Sequence, residues 1–390
     1  MTVSIWQRDL ATKQKHHYDV CILGAGIAGA AVAWWLHRLA PELKVCIVEK
    51  HAVGSGASGR NAGMVLAGLA SHYDEMVRVY GRDAAIELWQ ATLDHRRHLD
   101  DFLRETKANV GYEPLGSWRL GMEPAEREHL AQSATLLQDD GFPATYRSDD
   151  PLGRGFFGAL GIEEDCGVHP LMLVQAMITA SGATLFEHEE VYEIIREQEI
   201  VIHTPAQEIH ADRIVIALNA YAGLVDPTWQ QIIAPHRGQI LVTTALRKRM
   251  LEKLVYAHHG YIYFRQLPDT RFLIGGWRHE YADAEAGYED NTTPELQIKL
   301  EDFLRRYFPE AATVPIEARW SGTMGFSPDG VPVADAKPDC DGVYYLLGFT
   351  GHGFGLALEV GRRLVEMIVH GKTTGVFASS RLTQSNCRIT

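Results

Sequence analysis

The sequence predicts an α/β fold carrying a β-rich second unit, and three observations lead there. Residues 18–48 read as strand, glycine-rich turn, helix and strand, the order of a βαβ unit. Residues 183–217 and 235–276 break into short β-like runs such as EIVIH, DRIVIAL and RFLIGG. A second strand, glycine turn and helix return at 343–370. The 390 residues leave room for two domains at roughly 100–200 residues each. With 46% apolar and 22% charged residues, a large core is within reach.

Taken in order, YDVCIL (18–23) reads as a buried strand, 27–39 as a helix and KVCIV (44–48) as a second strand. Residues 51–63, rich in Gly, Ser and Ala, read as a loop. Helical periodicity covers 83–106 and 123–138, the latter opened by Glu123-Pro124. Pro170 starts a helix ending near Gly182. Thr293-Pro294-Glu295 opens a helix over 294–307, stopped by Pro309. Residues 316–324 and 343–347 read as strands. The last helix, 353–370, puts Leu356, Val360, Leu364 and Ile368 on one face and stops at Gly371.

The net charge of −13 repels phosphate backbones and argues against a nucleic-acid partner. Of the five cysteines, Cys21, Cys46, Cys166, Cys340 and Cys387, none forms a CxxC pair. Cys21 and Cys46 fall inside apolar strand-like runs and read as reduced, buried thiols, which fits a cytoplasmic protein. The first residues lack the apolar core of a signal peptide, and no run is long and apolar enough for a transmembrane helix. Peripheral contact at the inner face of a membrane stays open.

Gly24-Ala25-Gly26-Ile27-Ala28-Gly29 is a GxGxxG between a strand and a helix, with Glu49-Lys50 at the tip of the next strand. Gly24 allows the tight turn, Gly26 lets backbone approach a pyrophosphate, and Gly29 lets the helix lie close to the strand. The N-terminus of the helix, from Ile27 and Ala28, offers free N–H groups to phosphate, and Glu49 accepts from ribose hydroxyls. The fingerprint alone does not separate NAD from FAD. Other segments choose FAD. GSGASGRNAG (54–63) gathers small residues, with Ser58, Arg60, Asn61, Ala62 and Gly63 placed to meet pyrophosphate or flavin. RIVIALNAYAG ends a strand at Asn219 and Ala220, which with Val191 would close over the adenosine half. In VYYLLGFTGHGFGLAL, Gly348, Gly351, His352, Gly353 and Phe354 open a long helix whose dipole favours negative charge on a reduced flavin.

These motifs, with YIYFRQLPDTRFLIGG and the Trp320–Pro332 run around Gly322, resemble the D-amino-acid oxidase-type family of FAD enzymes over nearly the whole chain. The SGRNAG and GHGFGLA forms are similar to the γ-glutamylputrescine oxidoreductase, glycine oxidase and sarcosine oxidase group. The resemblance implies a Rossmann-like FAD-binding domain assembled from 15–82, 150–225 and 316–380. A β-rich substrate domain would come from 83–149 and 226–315. It implies that Arg265 grips a substrate carboxylate, with a structural ion pair as the alternative. Tyr261 and Tyr263 share one strand face and would wall the pocket, or pack in the core. His352 would sit near the flavin edge or the substrate amine, or simply hold its turn. His258-His259 lack a third ligand at metal spacing, so no metal is assigned. Trp277 and Trp320 read as core.

Two departures matter. Where glycine oxidases carry an arginine in the W-x-G run, this chain has Met324. Where sarcosine oxidases carry a flavin-linking cysteine, Ser321-Gly322-Thr323-Met324 has none, so the FAD is expected to be non-covalent. The oxygen-activating lysine of sarcosine oxidases is replaced by Leu273 or Ile274, which puts direct reaction with oxygen in doubt and leaves oxygen or an electron carrier as acceptor. The expected reaction is oxidation of a small amine or amino acid by hydride transfer from its α-carbon to flavin N5, giving an imine that hydrolyses. An FAD-dependent hydroxy-acid or polyol dehydrogenase, and a flavoprotein redox subunit without turnover of its own, remain the alternatives. The exact amine, its stereochemistry and the oligomeric state are not readable from the sequence.

Overall fold

The structure, a computed structural model, describes Ser4, Trp6, residues 13–196 and residues 198–384. Cys387 lies outside the described residues. The first elements are β1 (Gln14–Leu23), α1 (Ile27–Leu39), β2 (Val45–Val48), α2 (Ala57–Arg60), β3 (Met64–Val65), α3 (Tyr73–Tyr80), α4 (Arg82–Thr106), β4 (Ser117–Leu120) and α5 (Glu126–Asp139). There follow β5 (Thr145–Arg147), β6 (Ala159–Ile162), β7 (Cys166–Gly167), α6 (Pro170–Ser181), β8 (Thr184–Phe186), β9 (Glu193–Arg196), β10 (Ile200–His203) and β11 (Gln207–Ile216). The remainder holds β12 (Ala234–Ala245), β13 (Leu254–Ala257), β14 (Ile262–Gln266), β15 (Arg271–Gly276), α7 (Pro294–Tyr307), β16 (Ile316–Phe326), β17 (Val333–Ala336), β18 (Val343–Leu347) and α8 (Gly353–His370).

One sheet runs β17-β18-β11-β1-β2-β8, with the β9–β10 hairpin attached to β11. From β18 to β8 the strands are parallel. Parallel strands need cover on both faces, and Val20, Cys21, Ile22 and Leu23 are accordingly all buried. On one face α1 packs between α6 and α8, and α8 packs in turn on α4. The other face, with Cys21, Leu23, Ile214 and Ile216, is closed by Ile200 and Ile202 of β10 and by Trp229. α8 keeps the predicted stripe: Leu356, Val360, Leu364 and Ile368 are buried.

The second sheet runs β16-β12-β15-β14-β13-β4-β6-β5, antiparallel except at β4–β13. Strand alternation divides its faces. Leu241, Val255, Phe264 and Ile274 meet Leu296, Leu300 and Phe303 of α7 in a second core. Ile240, Tyr256 and Tyr263 face the other way, into a cleft. β6 and β16, which the sequence assigns by position to the nucleotide-binding segments, pair instead in this second sheet. The 51–63 loop contains one helical turn, α2, and α3 had no counterpart in the sequence reading. α3 is only eight residues long, shorter than the window over which a helical pattern is read.

Candidate active site

A cleft of about 780 Å³ runs from the N-terminus of α1 to the open face of the second sheet. Its first end is made of backbone. Gly24 has φ +100°, and a Cβ there would lie 2.9 Å from the Ala217 carbonyl oxygen. A Cβ on Gly29 would lie 2.0 Å from the Gly24 oxygen, so only glycine lets α1 sit this close to its strand. Gly26 provides no side-chain cap for α1. Ser58 Oγ takes that role and accepts from Ile27 N at 2.9 Å. Gly26, Ile27, Ala28 and Ser58 all line the cleft.

Glu49 stands at the tip of β2, outside the cleft lining. Its carboxylate accepts from Ala25 N and His51 N, each at 2.9 Å, and so clips the strand tip to the glycine turn. Lys50, also outside the lining, is exposed and pairs with Glu190 at 3.1 Å. Val191, also outside the lining, is half-buried against the neighbouring core, in the segment that pairs with residues 49–51.

The three glycine-rich segments meet here. A Cβ on Gly353 would lie 3.6 Å from Ile27 of α1. Asn219 Oδ1 accepts from Gly348 N at 2.9 Å and Phe349 N at 3.3 Å, holding the turn before α8 against the tip of β11. Asn219, Gly322, Gly351, His352, Gly353 and Phe354 line the cleft, whereas Ala220 and Gly348 lie behind it. Arg60 and Ala62 also line it. Arg60 is already engaged: it donates to Ser55 O at 2.8 Å and pairs with Asp290 of the second unit. Asn61, also on the lining, donates to the carbonyls of Ala57 and Ser58 and accepts from Gly63 N at 2.8 Å, closing its own loop.

The far end is walled by Tyr256, Tyr261 and Tyr263. Tyr256 and Tyr263 are direct cross-strand partners and stack at 6.1 Å. Burial pushes Tyr256 up to about 12 and raises Tyr263 as well, so both are neutral phenols. Tyr261 is 42% exposed and stacks on His279 at 4.1 Å, forming the rim. His352 Nδ1 lies 3.2 Å from the Thr350 carbonyl, which can only accept. That contact puts the proton on Nδ1 and leaves Nε2, 3.4 Å from the Tyr256 hydroxyl, as an acceptor. Burial holds His352 down at about 4, so it is neutral near pH 7.

Arg265 does not reach this chamber. It is 2% exposed, donates to the Gly63 carbonyl at 2.7 Å and pairs with Glu113. Its guanidinium is packed against Gly167, where an added Cβ would fall 2.4 Å from Nη2. The expected carboxylate grip is therefore corrected to a buried ion pair supporting the Asn61–Gly63 turn from behind. The residue that faces the chamber is Arg278, just past β15. Its guanidinium lies 4.2 Å over the Phe326 ring. No hydrogen bond or ion pair to Arg278 occurs among the described residues, although burial works against its charge and lowers its pKa. Sequence reasoning missed Arg278 and Tyr256. A signal existed for Tyr256, since LVYA and YIYF flank a short HHG turn as a hairpin does. For Arg278 the only hint was its place after the paired glycines that end β15.

Residues 19–367 match the family described as FAD dependent oxidoreductase (DAO). The chain belongs to that family. Probable oxidoreductase OrdL of Rhizobium meliloti (strain 1021) is 28% identical over 91% of this chain and 84% of its own length. Gamma-glutamylputrescine oxidoreductase of Escherichia coli (strain K12) is 24% identical over 90% of this chain and 83% of its own. Glycine oxidase from Geobacillus kaustophilus shares the fold at a TM-score of 0.79, with 22% identity and cover of 95% and 99% of the two chains. L-proline dehydrogenase from P. horikoshii also matches at 0.79, with 20% identity. The DAO-family chain described here is thus an FAD-dependent oxidoreductase of the α/β class. The cleft fits that cofactor on its own terms: a helix N-terminus with no side-chain cap of its own, a glycine cradle closed to any Cβ, and a third glycine turn abutting the first. No described cysteine lines the cleft, and no helix of the described residues is long and apolar enough to cross a membrane.

Proposed function

We propose that this enzyme oxidises a small amine that carries a carboxylate or similar anionic group, with FAD held non-covalently. One observation carries the reading: Arg278, a guanidinium without a protein acceptor among the described residues, faces a tyrosine-walled chamber continuous with the glycine cradle. In this reading the first sheet with α1, α2, α6 and α8 holds the nucleotide, and the second sheet holds the substrate. Bound FAD supplies the two-electron acceptor for hydride from the substrate α-carbon. Arg278 takes the anionic group in its planar fork and so fixes which face of the α-carbon is presented. Tyr256 and Tyr263 wall the chamber with neutral rings that exclude water. His352, neutral and with Nε2 accepting, stabilises no positive charge of its own. It can take a hydrogen bond from a substrate N–H.

The test is anaerobic bleaching of the yellow holoenzyme across matched amines with and without a carboxylate, beside hydroxy acids. Carboxylated amines are expected to bleach at the lowest concentrations. Arg278→Ala should raise their half-saturating concentration about 10–100-fold, as loss of a charged hydrogen bond worth roughly 1.5–3 kcal/mol implies. Amines lacking the anion should be unaffected. Bleaching by hydroxy acids alone would replace the amine reading, and an unchanged response in Arg278→Ala would remove Arg278 from it.

A further inference from the structure

Sequence spacing leaves His258-His259 without a third ligand, and the fold supplies two. His72, the residue before α3, and Glu126, the first residue of α5, converge on His259 in the β13–β14 turn. One ligand atom from each lies within 4.8 Å of the others. His72 Nε2 stands 3.5 Å and His259 Nε2 3.6 Å from the same Glu126 Oε1. Tetrahedral coordination at about 2.0–2.2 Å places ligand atoms roughly 3.3–3.6 Å apart, so two of the three edges already have the required length.

The surroundings point the same way. His72 is 4% exposed, and among the described residues its buried Nε2 makes no well-formed hydrogen bond, the 3.5 Å approach of Glu126 Oε1 being long for one. Such orphaned nitrogens are rare in protein interiors. Glu126 is 1% exposed, and its orientation is fixed by Met122 N at 2.6 Å on one oxygen and His259 N at 2.7 Å on the other. Each oxygen keeps a second lone pair, so these bonds orient a ligand without exhausting it. His258 and His259 both have φ +52°, and Gly260 follows at +82°. Two non-glycine residues in the left-handed region are costly, and such strain gathers at ligand sites. The side chain of His259 is 37% exposed, which leaves an entry path and room for water as further ligand.

We propose that His72, Glu126 and His259 bind one borderline divalent cation, typified by Zn²⁺. Two imidazoles and one carboxylate suit Zn²⁺ and its transition-metal neighbours, whereas Mg²⁺ and Ca²⁺ call for an all-oxygen set. The site lies behind the cleft wall, since Ala70, Gly260 and Tyr261 line the cleft within two residues of the ligands. A Cβ on Gly260 would fall 2.5 Å from the Ala70 oxygen, so the turn and the segment leading to α3 are already in contact. The ion would pin α3, α5 and the Tyr261 turn together. Its part is structural, and it takes no electron.

The chelator-treated, FAD-loaded full-length protein is titrated with Zn²⁺ against a fluorescent zinc indicator. One saturable equivalent is expected, with affinity at least tenfold lower in His259→Ala and in His72→Gln. The flavin spectrum serves as the check on folding. If the buried His72 variant does not fold, the half-exposed His259 variant decides alone. A second trio, His17, Glu199 and His210, lies at the surface of the first sheet, and His17→Ala should leave the equivalent intact. Loss of binding only in His17→Ala, or no saturable binding in the wild type, overturns the proposal.

Discussion

The glycine-cradle end of the cleft is built from backbone, and the tyrosine-walled end is built from side chains. At Gly24, Gly26 and Gly29 the surface exists because atoms are missing: a Cβ at Gly29 would overlap the Gly24 oxygen. At Tyr256, Tyr263 and Arg278 the surface exists because two strands and the turn after β15 bring large groups to one place. A backbone cradle tolerates almost no substitution, since strand and helix would have to part to admit one. A side-chain chamber can be altered residue by residue while the sheet beneath it survives. Two arginines sharpen the contrast. Arg265 and Arg278 stand thirteen positions apart around β15, yet one is buried against carbonyls and a carboxylate while the other faces the cleft.

The largest effect should come from Gly29→Val. It forces α1 off its strand, and the purified protein is expected to be colourless and to take up no added FAD. A yellow Gly29→Val protein would break the account of the cradle. Next comes Arg265→Ala, which leaves Glu113 paired with Arg249 alone, at 3.3 Å, and should lower unfolding free energy by about 1.5–3 kcal/mol in urea titration. The flavin-loaded fraction should keep its half-saturating substrate concentration. A change in substrate affinity at unaltered stability would return Arg265 to the chamber.

A pH effect follows from Glu359 on α8. Burial works to raise its carboxyl, and hydrogen bonds from His98, Arg362 and Arg363 overcome that and hold it at about 2. With a folded value below its ordinary 4.5, the stabilisation is complete above about pH 4.5 and is lost as pH falls toward 2. Glu359→Gln should therefore be less stable than the wild type at pH 7, with the gap closing between pH 4.5 and 2 in denaturant midpoints. A gap that stays constant would remove Glu359 from the acid response. The smallest effect is expected from Tyr256→Phe, which deletes a long 3.4 Å contact to His352. It should cost at most about 1 kcal/mol of stability and leave FAD bound, by the same denaturant measurement.

Much of the first sheet and its cover was legible in the sequence because its signals are local. Helix α1 spans the residues expected after the glycine turn, α6 begins at Pro170, and α8 runs from Gly353 to the residue before Gly371. Glycine spacing marked the cradle because the φ angles and close approaches that demand glycine lie within a few residues of one another. β6 and β16, which position groups with the nucleotide-binding segments, pair in the second sheet because a strand's partner is chosen by its hydrogen bonds, which sequence position does not reveal. Arg265 stayed open between a carboxylate grip and an ion pair for a related reason. It shares a strand face with Tyr261 and Tyr263, and only the packing of Glu113, Gly63 and Gly167 around it shows that this face is covered at its end.

By itself, then, the sequence determined the α/β class, the glycine cradle and the FAD expected there, since each depends on short-range geometry that residue types dictate directly. The tertiary structure alone decided which arginine faces the cleft, which tyrosine faces His352, and that His72 and Glu126 come to stand beside His259. Those outcomes depend on contacts between residues up to about two hundred positions apart. There, burial and strand pairing, and no local preference, set which side chains meet.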